Sequence, residues 1–266
     1  MILFSAHTRS GILAQDPMDE DSGDKYPLVR IVSRRQALRL MGIAATATLL
    51  RYGREQPASA SAAGVPACVV RPEQTEGPYF VDAKLNRSDI RSEPSDGSVK
   101  TGVPLRLTFQ VSHVNANSCT PLTGAIVDIW QCDALGVYSG VRDTNVGFDT
   151  REKRFLRGFQ TTNANGSAEF LTIYPGWYEG RAVHIHFKIR TDLSSRRTYE
   201  FTSQLYFDES ITDRVLKQAP YNTRGQRRTT NDADFAFRRG GQQLIPAFAK
   251  DAQGYSARFD IGLQMT

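Results

Sequence analysis

Apolar and polar residues alternate in short runs through most of the chain after residue 63. Leu105, Leu107, Phe109 and Val111 are separated by polar residues, and this period of two predicts a β-strand with one buried face. Long helical periodicity is missing, and only one short helix is predicted, near Ile211–Gln218. The other predicted strands, each bounded by turn-forming residues, are Ala125–Cys132, Phe155–Thr161, Ala168–Tyr174, Val183–Arg190, Phe201–Phe207 and Arg258–Leu263. Many short strands of this kind predict an all-β fold, an antiparallel sandwich or barrel with long loops and little helix.

Residues 1–63 have the pattern of an export signal rather than of a folded domain. The pair Arg34-Arg35 precedes an apolar stretch, Leu40–Leu50, and the small residues of Pro57–Gly64 follow it. The apolar stretch is too short to span a bilayer, which needs about 20 residues. The paired arginines resemble a twin-arginine signal, although Ala37 stands where a large apolar residue is usual. We therefore expect an export signal with a leader; an uncleaved anchor or an amphipathic helix is the alternative.

Residues 64–266 are predicted to form one domain, since no linker, repeat or low-complexity tract divides them. A formal charge of +5 without basic runs gives no basis for nucleic-acid binding. Export would bring the domain to a periplasmic or extracellular compartment, where two of Cys68, Cys119 and Cys132 could pair. The sequence does not decide which two pair, nor whether copies of the chain form a homo-oligomer. No stable membrane span is expected.

Two histidines in the strand Val183–Arg190 are the first candidates for chemistry. His184 and His186 are two residues apart and so lie on the same face of the strand. Each imidazole could bind one shared cation through a ring nitrogen. Taken alone, a His-x-His pair is more often two hydrogen-bonded histidines on a solvated sheet face.

The flanking tyrosines favour a metal site. Tyr178 follows Pro175-Gly176, Arg181 lies between it and His184, and Tyr138 follows a turn at Gly136. A tyrosine with a pKa near 10 is a poor ligand at neutral pH, but a trivalent iron ion lowers the pKa of the phenols that bind it. Two phenolates and two imidazoles would hold iron(III) with little net charge. Taken alone, each tyrosine is more simply interpreted as an aromatic residue at a strand end, with its ring packed and its hydroxyl in contact with water.

Taken together, these motifs resemble the intradiol ring-cleavage dioxygenases, the family of protocatechuate 3,4-dioxygenase and catechol 1,2-dioxygenase. The resemblance is carried in order by PEQTEGPYF (Pro72–Phe80), GAIVDIWQCDALGVYSG (Gly124–Gly140), FLRGFQTTNANGSAEFLTIYPGWY (Phe155–Tyr178), RAVHIHFKI (Arg181–Ile189), TSQLYF (Thr202–Phe207) and APYNTRGQR (Ala219–Arg227). It implies a β-sandwich core. The space in which catechol dioxygenases carry an N-terminal helical dimerisation domain here holds the predicted signal, so the chain looks closer to the protocatechuate subunit type or to the exported single-domain group.

The resemblance implies Fe(3+) as the cofactor and four ligands for it. Tyr138 matches the tyrosinate that stays on the iron throughout turnover, and Tyr178 matches the one that leaves when the catechol binds. His184 and His186 match the two imidazole ligands. The implied reaction uses O2 to cleave a catechol-type ring between its two hydroxylated carbons, giving a cis,cis-muconate-type diacid.

The resemblance also implies a substrate site. Arg181 falls where the family places a cation beside the reacting carbons, and Gln204 matches a polar residue near the metal pocket. Gly77, Pro78 and Tyr79 match a loop that lines the substrate cavity.

Two alternatives remain at this point. A zinc or iron(II) enzyme could use His184 and His186 with a carboxylate. An exported β-sandwich binding module without catalysis could present aromatic residues such as Trp177 and Tyr206 on its surface.

Overall fold

The computed structural model describes residues 69–115, 118–191 and 199–265. The predicted export signal and Cys68 lie outside these residues, and the export signal stays a prediction. In the described part of the chain, no helix is both long and apolar enough to cross a membrane.

The described residues form eleven strands and one α-helix. The strands are β1 (Pro104–Asn115), β2 (Ser118–Pro121), β3 (Ile126–Trp130), β4 (Arg142–Asp143), β5 (Phe148–Asp149), β6 (Arg157–Thr161), β7 (Ser167–Ile173), β8 (His184–Arg190), β9 (Glu200–Tyr206), β10 (Ala247–Lys250) and β11 (Tyr255–Leu263). The helix α1 spans Glu209–Leu216, and three short 3-10 helices span Tyr221–Arg224, Asn231–Ala233 and Gly241–Leu244.

Two sheets are built around β1 and β8. In the larger sheet β1 pairs with β11 on one side and with β7 and β2 on the other, and β10 lies outside β11. The smaller sheet has the order β6-β3-β8-β9, with every neighbouring pair antiparallel. A two-stranded ribbon, β4-β5, stands apart.

The two sheets pack face to face through aromatic and aliphatic side chains. Phe109 on β1 lies 5.2 Å, centroid to centroid, from Phe187 on β8, and Phe187 lies 5.5 Å from Phe259 on β11. All three rings are fully buried. The apolar residues of β1 and β8 therefore face one shared core, and the β-sandwich prediction is confirmed.

The alternation on β8 decides which side chains remain for chemistry. Ile185, Phe187 and Ile189 point into the shared core, so His184 and His186 point to the opposite face of the sheet. That face is covered by loops, which bury both histidines.

The predicted elements agree with the observed ones within a few residues. All seven predicted strands are present, and the predicted helix appears as α1, which begins two residues earlier. Its first turn is capped by Asp208, whose carboxylate accepts hydrogen bonds from the backbone N–H groups of Ser210 and Ile211.

Two features differ from a wholly antiparallel prediction. β1 and β11 run parallel, from Leu105↔Tyr255 to His113↔Leu263, and the short strands β2, β4, β5 and β10 have no predicted counterpart. Cys119 is disulfide-bonded, and Cys132 is a buried free thiol.

Candidate metal centre

Four residues predicted as metal ligands come together beneath the loops that cover β8. The Nε2 atoms of His184 and His186 lie 3.0 Å apart, and the Tyr178 hydroxyl lies 3.2 Å from His184 Nε2. The ring of Tyr138 lies 5.6 Å from that of Tyr178 and 6.4 Å from that of His186, centroid to centroid. Two phenols and two imidazoles therefore form one cluster, as the sequence predicts, while metal binding itself stays a prediction.

The loop after β3 carries Tyr138 into the cluster. The Asp133 carboxylate accepts hydrogen bonds from the N–H groups of Leu135 and Val137, which closes the loop into a tight turn. Gly136 has a φ of +79°, and a Cβ there would collide with the carbonyl oxygen of Trp177. Because glycine alone avoids that collision, the loop of Tyr138 can lie directly against the loop of Tyr178.

The two tyrosines differ in their exposure. Tyr138 is 1% exposed, whereas Tyr178 is half-buried. The Tyr138 hydroxyl makes no hydrogen bond of ordinary length to a described residue. Its pKa is raised chiefly by burial, and the nearby Tyr178 phenol raises it further. A buried hydroxyl without a partner is rare in native proteins, and a ligand at this position would satisfy it.

Trp130 and Gly77 lie on two sides of His186. The indole of Trp130 stacks on the His186 imidazole with centroids 5.1 Å apart and planes inclined by 4°. On another side, a Cβ built on Gly77 would lie 3.1 Å from His186 Cε1. The predicted substrate loop, of which Gly77 is part, therefore contacts a predicted metal ligand.

The remaining residues of that loop line the outer side of the tyrosines. The Tyr79 ring stacks on Tyr138 at 4.5 Å and meets Tyr178 edge-on at 6.1 Å. The Tyr79 hydroxyl donates a hydrogen bond to the Asp143 carboxylate on β4. Pro78 is exposed. The structure thus places the loop at the mouth of the cluster, and substrate binding by it stays a prediction.

Burial keeps all four candidate ligands uncharged in the metal-free protein. Burial lowers the pKa of His184 and of His186 well below 6.5, and the nearby Arg181 guanidinium lowers both further. Burial also raises the pKa of Tyr138 and of Tyr178 well above 10. The imidazoles are therefore neutral with lone pairs available for a metal, and the phenols lose their protons only if a strong positive charge is nearby.

The Arg181 guanidinium lies beside this cluster, as the sequence predicts. Its Nη1 atom is 3.4 Å from His184 Nε2, and its Nη2 atom donates a 2.5 Å hydrogen bond to Gln204 Oε1 on β9. Gln204 is fully buried, accepts a further hydrogen bond from the Tyr206 hydroxyl and donates one to the Thr75 carbonyl. Burial alone would lower the pKa of Arg181, but the neighbouring Tyr178 and Asp234 outweigh it and raise that pKa.

Sequence reasoning missed Asp234 and the stacking role of Trp130. Asp234 is fully buried, and its carboxylate accepts a 2.9 Å hydrogen bond from Arg181 Nε. No local pattern connects two residues that are 53 positions apart. For Trp130, the alternation of residues along β3 was the nearest sequence signal. The observed register of β3 with β8 places Trp130 opposite His186.

The donor set fits a trivalent iron ion better than zinc or iron(II). Phenolates are hard anionic donors that stabilise a high positive charge. Among the described residues, no three His, Cys, Asp or Glu side chains are grouped so as to hold a metal. The alternative of two histidines with a carboxylate therefore has no carboxylate ligand in the described part of the chain.

The alternative of a surface binding module also meets a contradiction. Trp177 is 8% exposed and Tyr206 is 0% exposed, because both lie within loops and strands that pack around the cluster. The expectation that these aromatic residues are exposed was wrong.

Comparisons with known proteins agree with these observations. Residues 75–264 match the protein family described as Dioxygenase. Over 201 residues the chain is 24% identical to chlorocatechol 1,2-dioxygenase of Pseudomonas putida, covering 68% of this chain and 66% of that protein. Over 153 residues it is 26% identical to catechol 1,2-dioxygenase 1 of Acinetobacter lwoffii, covering 49% of this chain and 45% of that protein. The chain thus spans about half to two thirds of the length of these relatives.

Two solved structures resemble the described fold. An intradiol ring-cleavage dioxygenase from Tetranychus urticae is 33% identical, with a TM-score of 0.62, covering 74% of this chain and 95% of that one. The dioxygenase domain of a dioxygenase–carbohydrate-binding protein fusion from Streptomyces sp. SirexAA-E is 29% identical, with a TM-score of 0.51, covering 74% of this chain and 100% of that one.

Proposed function

The chain belongs to the intradiol ring-cleavage dioxygenase family, and from that membership we propose that it is an iron(III)-dependent enzyme that cleaves catechol-type rings. The bond cleaved is the one between the two hydroxylated carbons. Both atoms of O2 enter the product, a cis,cis-muconate-type diacid. The observation that carries this proposal is the buried cluster of two phenols and two neutral imidazoles.

Tyr138, Tyr178, His184 and His186 would hold the ion. When bound, Fe(3+) would supply the positive charge that lowers the pKa of phenolic groups and makes a coordinated catechol reactive toward O2. His184 is already oriented for this role, because its Nδ1 lies 2.7 Å from the Ala182 carbonyl oxygen. A proton on Nδ1 leaves the Nε2 lone pair free for a metal.

The different exposure of the tyrosines supports different proposed tasks for them. Tyr138 is almost fully buried, which suits a permanent ligand. Tyr178 is half-buried, so as a phenolate it could leave the cluster, accept a proton from a substrate hydroxyl at hydrogen-bonding distance and become a neutral phenol.

The role proposed for Arg181 in turnover is to stabilise charge on the substrate ring. As the ring loses its aromaticity, negative charge develops on the carbon that O2 attacks. A fixed guanidinium beside that carbon stabilises charge that is largest near the transition state. Gln204 holds one edge of the guanidinium through its 2.5 Å hydrogen bond.

The loop of Gly77, Pro78 and Tyr79 would bind the substrate ring. Gly77 leaves space beside His186, and the Tyr79 ring offers an aromatic wall whose hydroxyl is held by Asp143. A flat phenolic ring is a suitable ligand for such a wall.

We further propose that the enzyme acts outside the cytoplasm. The paired arginines and short apolar stretch before residue 64 support export, and a catechol released by polymer breakdown is a substrate class suited to that location. Cell fractionation of the expressed full chain tests the location, and retention of all activity in the cytoplasm would contradict it.

The activity is tested with iron-loaded protein, by oxygen uptake and product ultraviolet spectra with catechol, protocatechuate and hydroxyquinol. We expect a visible absorption band from tyrosinate-bound iron(III), one O2 consumed per ring cleaved, and loss of both signals in H186A. A colourless preparation that cannot be reconstituted, or coloured protein that consumes no oxygen with any of the three substrates, would refute the proposal.

A further inference from the structure

We propose that Asp234 is a positioning residue for turnover, which fixes the orientation of the Arg181 guanidinium toward the cluster of tyrosines and histidines. The inference rests on the proposed function, because Asp234 would act through the role proposed for Arg181. Asp234 makes no described hydrogen bond to the candidate ligands or to the predicted substrate loop.

The guanidinium of Arg181 is held at two of its three nitrogens. Its Nε donates to Asp234 Oδ2 at 2.9 Å, and its Nη2 donates to Gln204 Oε1 at 2.5 Å. The third nitrogen, Nη1, is left to face His184 Nε2 at 3.4 Å. Because a guanidinium is planar, two held nitrogens fix the direction of the third.

Phe235 covers the guanidinium from another side. Its ring centroid lies 5.2 Å from Arg181 Cζ, within the range of a cation–π contact. Asp234 and the residue after it therefore both hold Arg181, and both come from one turn of the chain.

Asp234 is itself held rigidly, which makes it an effective anchor. Its Oδ2 also accepts a 2.7 Å hydrogen bond from the N–H of Ala182, the residue next to Arg181. Its Oδ1 accepts hydrogen bonds from the N–H groups of Ala236 and Phe237 at 2.7 and 3.1 Å. One fully buried carboxylate thus connects the turn at 234–237 to the loop that carries Arg181.

An asparagine cannot reproduce this arrangement. It has the shape of aspartate but a single oxygen, so it can accept at one side only and presents an NH2 group at the other. In D234N, either the pair of donors at Arg181 and Ala182 or the pair at Ala236 and Phe237 loses its acceptor. The negative charge opposite the guanidinium is lost in both cases.

The first test compares D234N with the wild-type enzyme in oxygen uptake with catechol. We expect kcat to fall about 10- to 100-fold, as for a catalytic group displaced by about 1 Å, while KM and iron content change little. The matched control is D208N, which also removes a carboxylate that accepts two backbone N–H bonds, but at the start of α1. We expect D208N to keep the wild-type kcat.

A double-mutant cycle separates positioning from a general loss of structure. If Asp234 acts through Arg181, D234N should lower kcat by no more than about twofold in an R181A background. The same fold loss in both backgrounds would overturn the proposal. If D234N does not fold, R181K answers the question, because lysine keeps the charge but cannot reach both acceptors in a fixed plane. We then expect R181K to lose as much kcat as R181A, and a wild-type kcat in R181K would overturn the proposal.

A readout without turnover distinguishes failure of this inference from failure of the proposed function. In full-length protein loaded with diamagnetic gallium(III), the Arg181 Nε–H signal is assigned by its loss in R181K. We expect slow hydrogen exchange of this signal in wild type and D208N, and fast exchange in D234N; slow exchange in D234N would overturn the inference. Slow exchange in wild type together with no oxygen uptake would instead overturn the proposed function. The fixed orientation of the Arg181 guanidinium would still be supported.

Discussion

Replacing Tyr138 by phenylalanine should stabilise the metal-free protein while weakening its binding of iron. The Tyr138 hydroxyl is buried and lacks a hydrogen-bond partner among the described residues. Phenylalanine retains the ring, which stacks on Tyr79, and removes only the hydroxyl. The substitution therefore isolates one polar group from the packing around it.

The size of the effect follows from the missing hydrogen bond. A buried polar group left without a partner costs about 1 to 3 kcal/mol. Removing it should raise the free energy of unfolding of the metal-free protein by about that amount. For a domain of this size, each kcal/mol corresponds to about 2 to 4 °C in Tm.

The measurement is thermal and denaturant unfolding of chelator-treated Y138F and wild type, with Y221F as the matched control. The Tyr221 hydroxyl is buried, donates to the Tyr174 carbonyl at 2.7 Å and accepts from the Val103 N–H at 2.9 Å. Y221F should therefore be destabilised by about 1 to 3 kcal/mol. After iron loading, wild type should be more stable than Y138F, because Y138F has lost a ligand. Y138F should also show less bound iron and a weaker visible band.

The result that would refute this reasoning is a metal-free Y138F destabilised as much as Y221F. The hydroxyl of Tyr138 would then have a partner in the folded protein, and its availability for a metal would lose its support.

Three further predictions concern other parts of the molecule. Burial raises the pKa of Asp128 to about 7 despite its ion pair with Arg190. The folded state therefore binds the proton of Asp128 more tightly than the unfolded state does. The free energy of unfolding contributed by this group falls as pH rises from about 4 to about 7. Urea unfolding should show a stability gain of D128N over wild type that grows between pH 5 and pH 8, and a gain independent of pH would contradict this. W130L removes the ring stacked on His186 and should lower iron affinity about 10- to 100-fold, as loss of support around a metal ligand commonly does; competition with a chelator measures it, and unchanged affinity would exclude the support role. Removing iron from wild type should lower its Tm, because a ligand present at about 100 times its Kd stabilises by about 2.7 kcal/mol; an unchanged Tm in calorimetry would mean that the ion contributes nothing to the fold.

The period-two pattern predicted the main strands and the paired histidines, whereas the two tyrosines were identified from the flanking motifs and the family resemblance. A period of two places His184 and His186 on one face of β8 and the core residues on the other. The same period identified β1. The short strands β2 and β10 escaped prediction because they are mostly exposed and only four residues long, which leaves no alternation to detect.

Long-range pairings could not be predicted from the sequence for a different reason. The parallel register of β1 with β11 joins residues about 150 positions apart, and neither strand carries a local sign of its partner. The same holds for Asp234, whose charge alone indicates an exposed residue. The cost of burying its carboxylate is offset by hydrogen bonds that only the folded loops supply.

The four candidate ligands all lie between residues 138 and 186, whereas Asp234 belongs to a later stretch of the chain. The residue proposed to position Arg181 is thus encoded apart from the candidate ligands, and the two segments can diverge separately. Exchange of residues 227–245 between relatives should therefore produce chimeras that retain iron yet differ in kcat. Such a division would let the turnover rate change during evolution while the candidate metal site is kept.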